Sequence, residues 1–150
     1  SEIINSIKKI SKTFKKKIII SCHPTFSSQL KIKKIRLNEK IILAKPFAFT
    51  DYCFLQKNAL IVISDSGTIS EEASILKLKA INFRNTHERP EAMEEGSAIM
   101  SGMSSKNLIE IINFIKNKNK YLNNNPVKEY FDKNVSGKFI RILLSHFHLK

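Results

Sequence analysis

Arginine is scarce in this chain, although positive charge is not. Of 26 Lys plus Arg only four are Arg, against 13 Asp plus Glu, for a net charge of +13 in 150 residues. A basic balance of that size would suit nucleic acid or an anionic membrane. The shortage of Arg argues against both, because its guanidinium fork is the group that reads phosphates and base edges in pairs. Lys, Ile and Asn are abundant together. They share A/T-rich codons, so codon bias explains much of the charge. The stacking aromatics that single-strand binders carry at motif spacing are also missing. Cysteine is rarer still: Cys22 and Cys53 are too few and too far apart for a disulfide framework or a zinc site. Both are expected as buried thiols in a reducing cytosol. Cys22 adjoins His23, but neighbouring strand residues point to opposite faces, a poor geometry for a Cys–His nucleophile. No apolar run approaches the roughly 18 residues that span a bilayer, and the N-terminus reads as an amphipathic helix without a signal-peptide core. The sequence therefore predicts a cytoplasmic protein with no metal, no membrane and no nucleic-acid partner.

The length suits one domain with a real core. Ile3, Ile4, Ile7, Ile10 and Phe14 recur at helical spacing. Lys17 to Cys22 is a β-branched run that stops where Pro24 biases His23 away from helix. A weak helix is expected over Ser27–Ile35, a strand over Lys40–Ala44, and a helix capped by Thr50 running to about Lys57. Strand Leu60–Ser64, helix Thr68–Leu78 and strand Lys79–Phe83 follow. A short helix near Glu91–Glu94 and a short strand Ser97–Met100 come next. Ser104 or Ser105 caps a helix over Lys106–Lys118, Asn123–Pro126 is a turn cluster within a Lys/Asn-rich loop, and Ser136 starts the last helix. The strands are continuous apolar runs alternating with helices, which predicts an α/β fold with a parallel sheet covered on both faces. In such sheets ligands bind outside the carboxyl ends of the strands. His23, the Pro46–Phe49 loop, Ser66-Gly67 and the Arg84–Pro90 loop all follow strands and would gather there.

The most informative segment is Ser64-Asp65-Ser66-Gly67-Thr68-Ile69-Ser70-Glu71-Glu72, which reads as strand, tight turn and helix. Free N–H groups and the positive end of the helix dipole converge at such a turn and favour phosphate. A carboxylate one turn later can accept two hydrogen bonds from a ribose diol. Ser, Gly and Glu are also ordinary helix-start residues, so a plain capped helix is the alternative.

The downstream Arg84-Asn85-Thr86-His87-Glu88-Arg89-Pro90-Glu91, then Gly96-Ser97, and the upstream Ser21-Cys22-His23-Pro24 complete a recognisable set. Together with the D-S-G-x-x-x-E-E turn at Asp65–Glu72, they resemble the C-terminal half of a non-hydrolysing UDP-N-acetylglucosamine 2-epimerase. The spelling of the turn, His87 before Glu88, and Pro46-Phe47-Ala48-Phe49 with Asp51-Tyr52 are most similar to one branch. That branch epimerises C2 of a 6-deoxy UDP-N-acetyl sugar, of talosamine or fucosamine type, for capsule or O-antigen in bacteria.

The resemblance implies a Rossmann-like sheet forming the second half of a two-domain, glycosyltransferase-B-like architecture. The family's first domain, which holds its catalytic carboxylates, has no counterpart in this sequence. Nor does the strand that opens the family's second domain, since the sequence begins with a helix. A trimmed piece of a longer protein, a split gene whose first domain is a separate chain, and a decayed gene remnant all fit. The resemblance further implies a UDP-sugar ligand, no cofactor, no metal, and a homodimer as one assembly. By it, Ser66 and Gly67 hold the UDP phosphates, Glu72 grips the ribose with Glu71 as the structural alternate, and Tyr52 lies at the uracil or packs in the core. His23 is the cleft histidine, able to orient diphosphate or assist proton movement; Thr25-Phe26-Ser27-Ser28 stand where the branch has arginines. Arg84, Glu88 and Arg89 form the cleft loop, with Glu88 expected to pair with one of the two arginines, a role that is also common in plain loop fixing. The family's reaction removes the C2 proton, expels UDP to leave a glycal, and returns UDP after reprotonation on the other face. This half alone is expected to hold UDP without turning over. The rival readings are a non-catalytic remnant or interaction module, a basic nucleic-acid-binding domain, and a glycosyltransferase of the same architecture, against which the E-R-P-E loop argues.

Overall fold

The computed structural model describes residues 2–32, 35–117 and 126–147. Helix α1 (Glu2–Phe14), strand β1 (Ile18–Ser21), α2 (Pro24–Ile32), β2 (Ile41–Ala44), α3 (Phe49–Asn58), β3 (Val62–Ser64), α4 (Ile69–Leu76) and β4 (Ala80–Asn82) come first. They are followed by α5 (Pro90–Glu94), β5 (Ile99–Met100), α6 (Ser105–Asn117), a 3-10 helix at Lys128–Phe131 and α7 (Val135–His146). Among the described residues every strand pairing is parallel, as the continuous apolar runs predict.

Differences at the element ends have local causes. Helix α2 starts at Pro24, not Ser27, because proline at the first helical position loses no needed N–H. Helix α3 begins at Phe49 with Ala48 as its N-cap and no side-chain cap bond, so Thr50 lies inside it. Helix α4 stops early because Lys77 turns left-handed at φ 55°, and the Leu78 N–H bonds back to the Ala73 carbonyl at 3.0 Å. The 3-10 helix at Lys128–Phe131 was not predicted. Residues 118–125, which include all of the expected Asn123–Pro126 turn except Pro126, lie outside the described residues, as do residues 33 and 34.

The pairing differs from a single predicted sheet. Among the described residues, β1 pairs with β2 in one ladder, and β3, β4 and β5 form another with β4 in the centre. Strand β4 is buried throughout, and its alternation separates two clusters. Val62, Ala80 and Ala98 pack with Ile69, Ala73 and Leu78 against α4. Ile61, Ile81 and Ile99 pack with Leu108, Ile112 and Ile115 of α6, where Ile3, Ile10 and Phe14 of α1 join them. The three-stranded ladder is thus covered on both faces. Helix α7 buries none of its residues and exposes Phe139, Ile142 and Leu144.

One long-range bond ties the C-terminal segment to α4. The Val127 N–H donates to the Ser74 hydroxyl at 2.9 Å, and both residues are about fully buried, 1% exposed each. Removing the acceptor leaves a buried donor without water, which costs about 1–3 kcal/mol. Ser74→Ala should therefore lower unfolding free energy by about that amount in urea titration. A change within error of zero would show that the 126–131 segment adds nothing to the core.

Candidate active site at the carboxyl edge of the three-stranded ladder

Parallel order puts the segments after β3, β4 and β5 at one edge of the ladder. After β3, Ser66 and Gly67 make a local turn: the Ser66 hydroxyl meets the Thr68 hydroxyl at 2.9 Å and accepts from the Thr68 N–H at 3.3 Å. This is a bond within the turn and not a helix cap, since α4 has Thr68 as its N-cap with no side-chain cap bond, and the Ser66 residue is exposed beside the helix start. The Gly67 N–H has no partner among the described residues.

Space at Gly67 is tight. A Cβ there would lie 3.2 Å from Arg89 Nη1, 3.3 Å from Glu88 Oε2 and 3.6 Å from Arg84 Nη1. The loop after β4 thus folds directly over the turn after β3. Glu88 pairs with both arginines, not one: Arg84 Nη2 donates to Oε1 at 3.0 Å and Arg89 Nη1 to Oε2 at 3.4 Å. These bonds, that of Arg84 foremost, hold the Glu88 carboxyl below the usual carboxylate range. Arg89 Nε in turn donates to Glu71 Oε1. That bond, with the attraction of the Glu71 charge, pushes the Arg89 guanidinium further up.

The two adjacent glutamates of α4 have separate partners. Glu71 is committed to Arg89. Glu72 accepts from the Thr68 hydroxyl at 2.8 Å through Oε1 and from the buried Gln56 amide through Oε2. Tyr52, one turn before Gln56 on α3, is half-buried. Burial raises its phenol pKa, and the negative charge of Glu72 raises it further. The bond from Gln56 to Glu72 joins α3 to α4, and Tyr52 lies close enough to feel the Glu72 charge. Gln56 and Thr68 were missed by the sequence reading, although each lies four residues from Tyr52 or Glu72, the spacing that puts helical side chains side by side.

His23 follows β1, in the other ladder. It is exposed; its Nδ1 lies 2.9 Å from the Thr25 hydroxyl and accepts from the Thr25 N–H at 3.4 Å. No hydrogen bond or ion pair joins it to the Ser66–Arg89 group among the described residues. Gly96, the expected small-residue step, has φ +67°, a left-handed turn that favours glycine. An open depression of about 500 Å³ lies near the loops after β4 and β5, bordered by Asn85, Gly102, Ser104 and Lys106; none of the expected site residues lines it. Among the described residues no cluster of three His, Cys, Asp or Glu could hold a metal, and no helix is long and apolar enough to cross a membrane. Cys22 and Cys53 are free thiols.

Residues 1–144 match the family model described as UDP-N-acetylglucosamine 2-epimerase. The chain belongs to this family. A UDP-N-acetylglucosamine 2-epimerase of Methanocaldococcus jannaschii is 36% identical over 120 residues, covering 77% of this chain and 33% of that protein. The structure of the Rickettsia bellii UDP-N-acetylglucosamine 2-epimerase superposes with a TM-score of 0.82 at 40% identity, over 97% of this chain and 40% of that one. The M. jannaschii enzyme in complex with UDP-GlcNAc and UDP superposes with a TM-score of 0.76 at 33% identity, again over 97% of this chain and 40% of that one. The α/β architecture of parallel strands and helices is that of these epimerases, and the chain spans about a third of the length of its curated relatives.

A second anchor of the loop was invisible in the sequence. The Tyr130 hydroxyl, 39 residues away, donates to Glu91 Oε1 at 2.7 Å. That bond is the first cause that lowers the Glu91 carboxyl from its ordinary 4.5, and a backbone bond helps. A depressed carboxylate contributes stability above its unfolded value, and that contribution is lost as pH falls through the folded value. Tyr130→Phe should move the Glu91 titration up toward 4.5, as read by NMR of the Glu91 side chain. An unmoved titration would mean that Tyr130 does not anchor the loop.

Proposed function

We propose that this chain is the UDP-binding, C-terminal-type domain of a UDP-N-acetyl-sugar C2 epimerase. The observation that carries the reading is the joint placement of the Ser66-Gly67 turn, the oriented Glu72 carboxylate and the Arg84–Arg89 loop at one strand edge. Family membership supports it, as does the likeness to an epimerase whose structure holds UDP-GlcNAc and UDP. Ser66 and the Gly67 N–H meet the diphosphate at the positive end of α4. Glu72, held by Thr68 and Gln56, accepts from the ribose hydroxyls. Tyr52 stands beside Glu72, where the uridine would extend.

The reaction in which this half takes part inverts C2 of the sugar. A base takes the C2 proton, the C1–O bond breaks with its electron pair leaving on UDP, and the glycal accepts UDP again after reprotonation on the opposite face. This domain stabilises the negative charge that grows on the departing UDP, through the helix terminus and Arg84. His23 is proposed to act at the cleft as an orienting or proton-moving group. The proton-transfer carboxylates are proposed to come from a partner domain, since a base must reach the proton within hydrogen-bond distance. The branch we favour acts on 6-deoxy sugars of the talosamine and fucosamine type, in the bacterial cytoplasm, for surface polysaccharide. Its support is the spelling of the turn and of the His87-Glu88 loop.

Calorimetry should show weak UDP binding by the 150-residue chain, abolished by Ser66→Ala with Glu72→Ala, since a lost hydrogen bond to a charged group costs about 1.5–3 kcal/mol. Binding unchanged in the double variant would place UDP elsewhere. The chain alone should give no solvent deuterium at C2 of UDP-GlcNAc. Exchange without a partner domain would contradict the division of labour, and no UDP binding at all would favour a non-catalytic remnant.

A further inference from the structure

Glu88 sits over the glycine turn. Its Oε2 would lie 3.3 Å from a Cβ at position 67, so it occupies the space that glycine leaves open. It bridges the Arg84 and Arg89 guanidinium groups there. A bound diphosphate would meet the same two cations, next to the unpartnered Gly67 N–H. A carboxylate with one negative charge and two acceptor oxygens reproduces one end of that ligand.

We propose that Glu88 is an internal stand-in for the diphosphate, which holds the site assembled when empty and must swing out when a nucleoside diphosphate enters. The inference rests on the UDP reading above. Three observations support the movement. Glu88 is the outermost member of the cluster, its side chain 59% exposed against 29% for either arginine. Exposed ion pairs are cheap to break, and a carboxylate rotating into water regains its hydration. Arg89 keeps its bond to Glu71 when Glu88 leaves, so the loop stays anchored. Arg84, whose only ion pair among the described residues is with Glu88, is then released to the incoming phosphate.

The stand-in lowers the apparent affinity of every ligand that must displace it by the same factor, the fraction of empty sites in which Glu88 already stands aside. Loss of the Glu88 charge should therefore help every displacing phosphate ligand by a similar factor.

The test is calorimetric titration of the full chain with UDP and with UMP. Glu88→Gln keeps the size of the side chain and removes the competing charge. It should tighten UDP roughly five- to tenfold, with a similar gain for UMP if UMP also displaces Glu88, since about 1.4 kcal/mol corresponds to a factor of ten. Glu110→Gln on α6 removes the same unit of charge from an exposed position and should leave both affinities within about twofold, a difference well below 1 kcal/mol. Arg84→Ala should weaken UDP. UDP bound equally or more weakly by Glu88→Gln, while Ser66→Ala with Glu72→Ala still abolishes binding, would overturn the stand-in and leave the UDP site intact. Equal tightening by Glu110→Gln would overturn it too, because the effect would then be one of net charge. Absence of UDP binding in wild type and Glu88→Gln alike would overturn both readings.

Discussion

The pairing of Arg89 with Glu71 holds the candidate site together. One partner lies on the helix that follows β3 and the other in the loop that follows β4, so the bond closes the mouth between two adjacent strands. Both side chains are about 29% exposed, and a partly exposed pair contributes little to global stability. Its importance is positional. With Arg89 fixed from one side, Glu88 and Arg84 fall over Gly67, and a side chain at 67 would crowd them. Tyr130 fastens the next helix through Glu91, so the loop is held at both ends while its middle, around Glu88, stays exposed.

The same constraint divides the labour of two adjacent acids. Consecutive helical residues point about 100° apart, so Glu71 and Glu72 cannot share a task. Glu71 faces the loop and is occupied by Arg89. Glu72 faces α3, whose Gln56 orients it together with Thr68 at the start of its own helix. An ion-paired carboxylate is poorly placed to accept from a ribose, whereas one oriented by neutral donors keeps lone pairs for a ligand. Two acids that are interchangeable in the sequence thus become distinguishable through their partners.

Much of this was legible beforehand because it is local. The apolar runs at Ile18–Ser21 and Val62–Ser64, the helical repeat of α1 and the Ser-Gly turn depend on a few neighbouring residues. The E-R-P-E loop could be assigned to a strand end for the same reason. Lateral relations were not legible. Nothing in the period of a strand says which strand it will pair with, so the separation of the β1–β2 ladder from β3–β4–β5 came only from the structure. The bond from Tyr130 to Glu91 spans 39 residues and has no pattern in the sequence. Thr50, expected as a cap, fell inside α3 because the chain entered the helix earlier, through Ala48. Family membership was readable from motif residues alone, and the match over residues 1–144 bears it out.

The central claim is that uridine diphosphate binds where the segments after β3 and β4 meet. Backbone amide NMR during titration with UDP tests it most directly, because it reports place as well as affinity. The account predicts that the shifts concentrate at Gly67, Thr68, Tyr52 and the Arg84–Arg89 loop, and that the Arg84 and Arg89 side-chain Nε signals move with them. Shifts confined to the border of the depression near Gly102 and Ser104, with Gly67 and the loop unmoved, would contradict it.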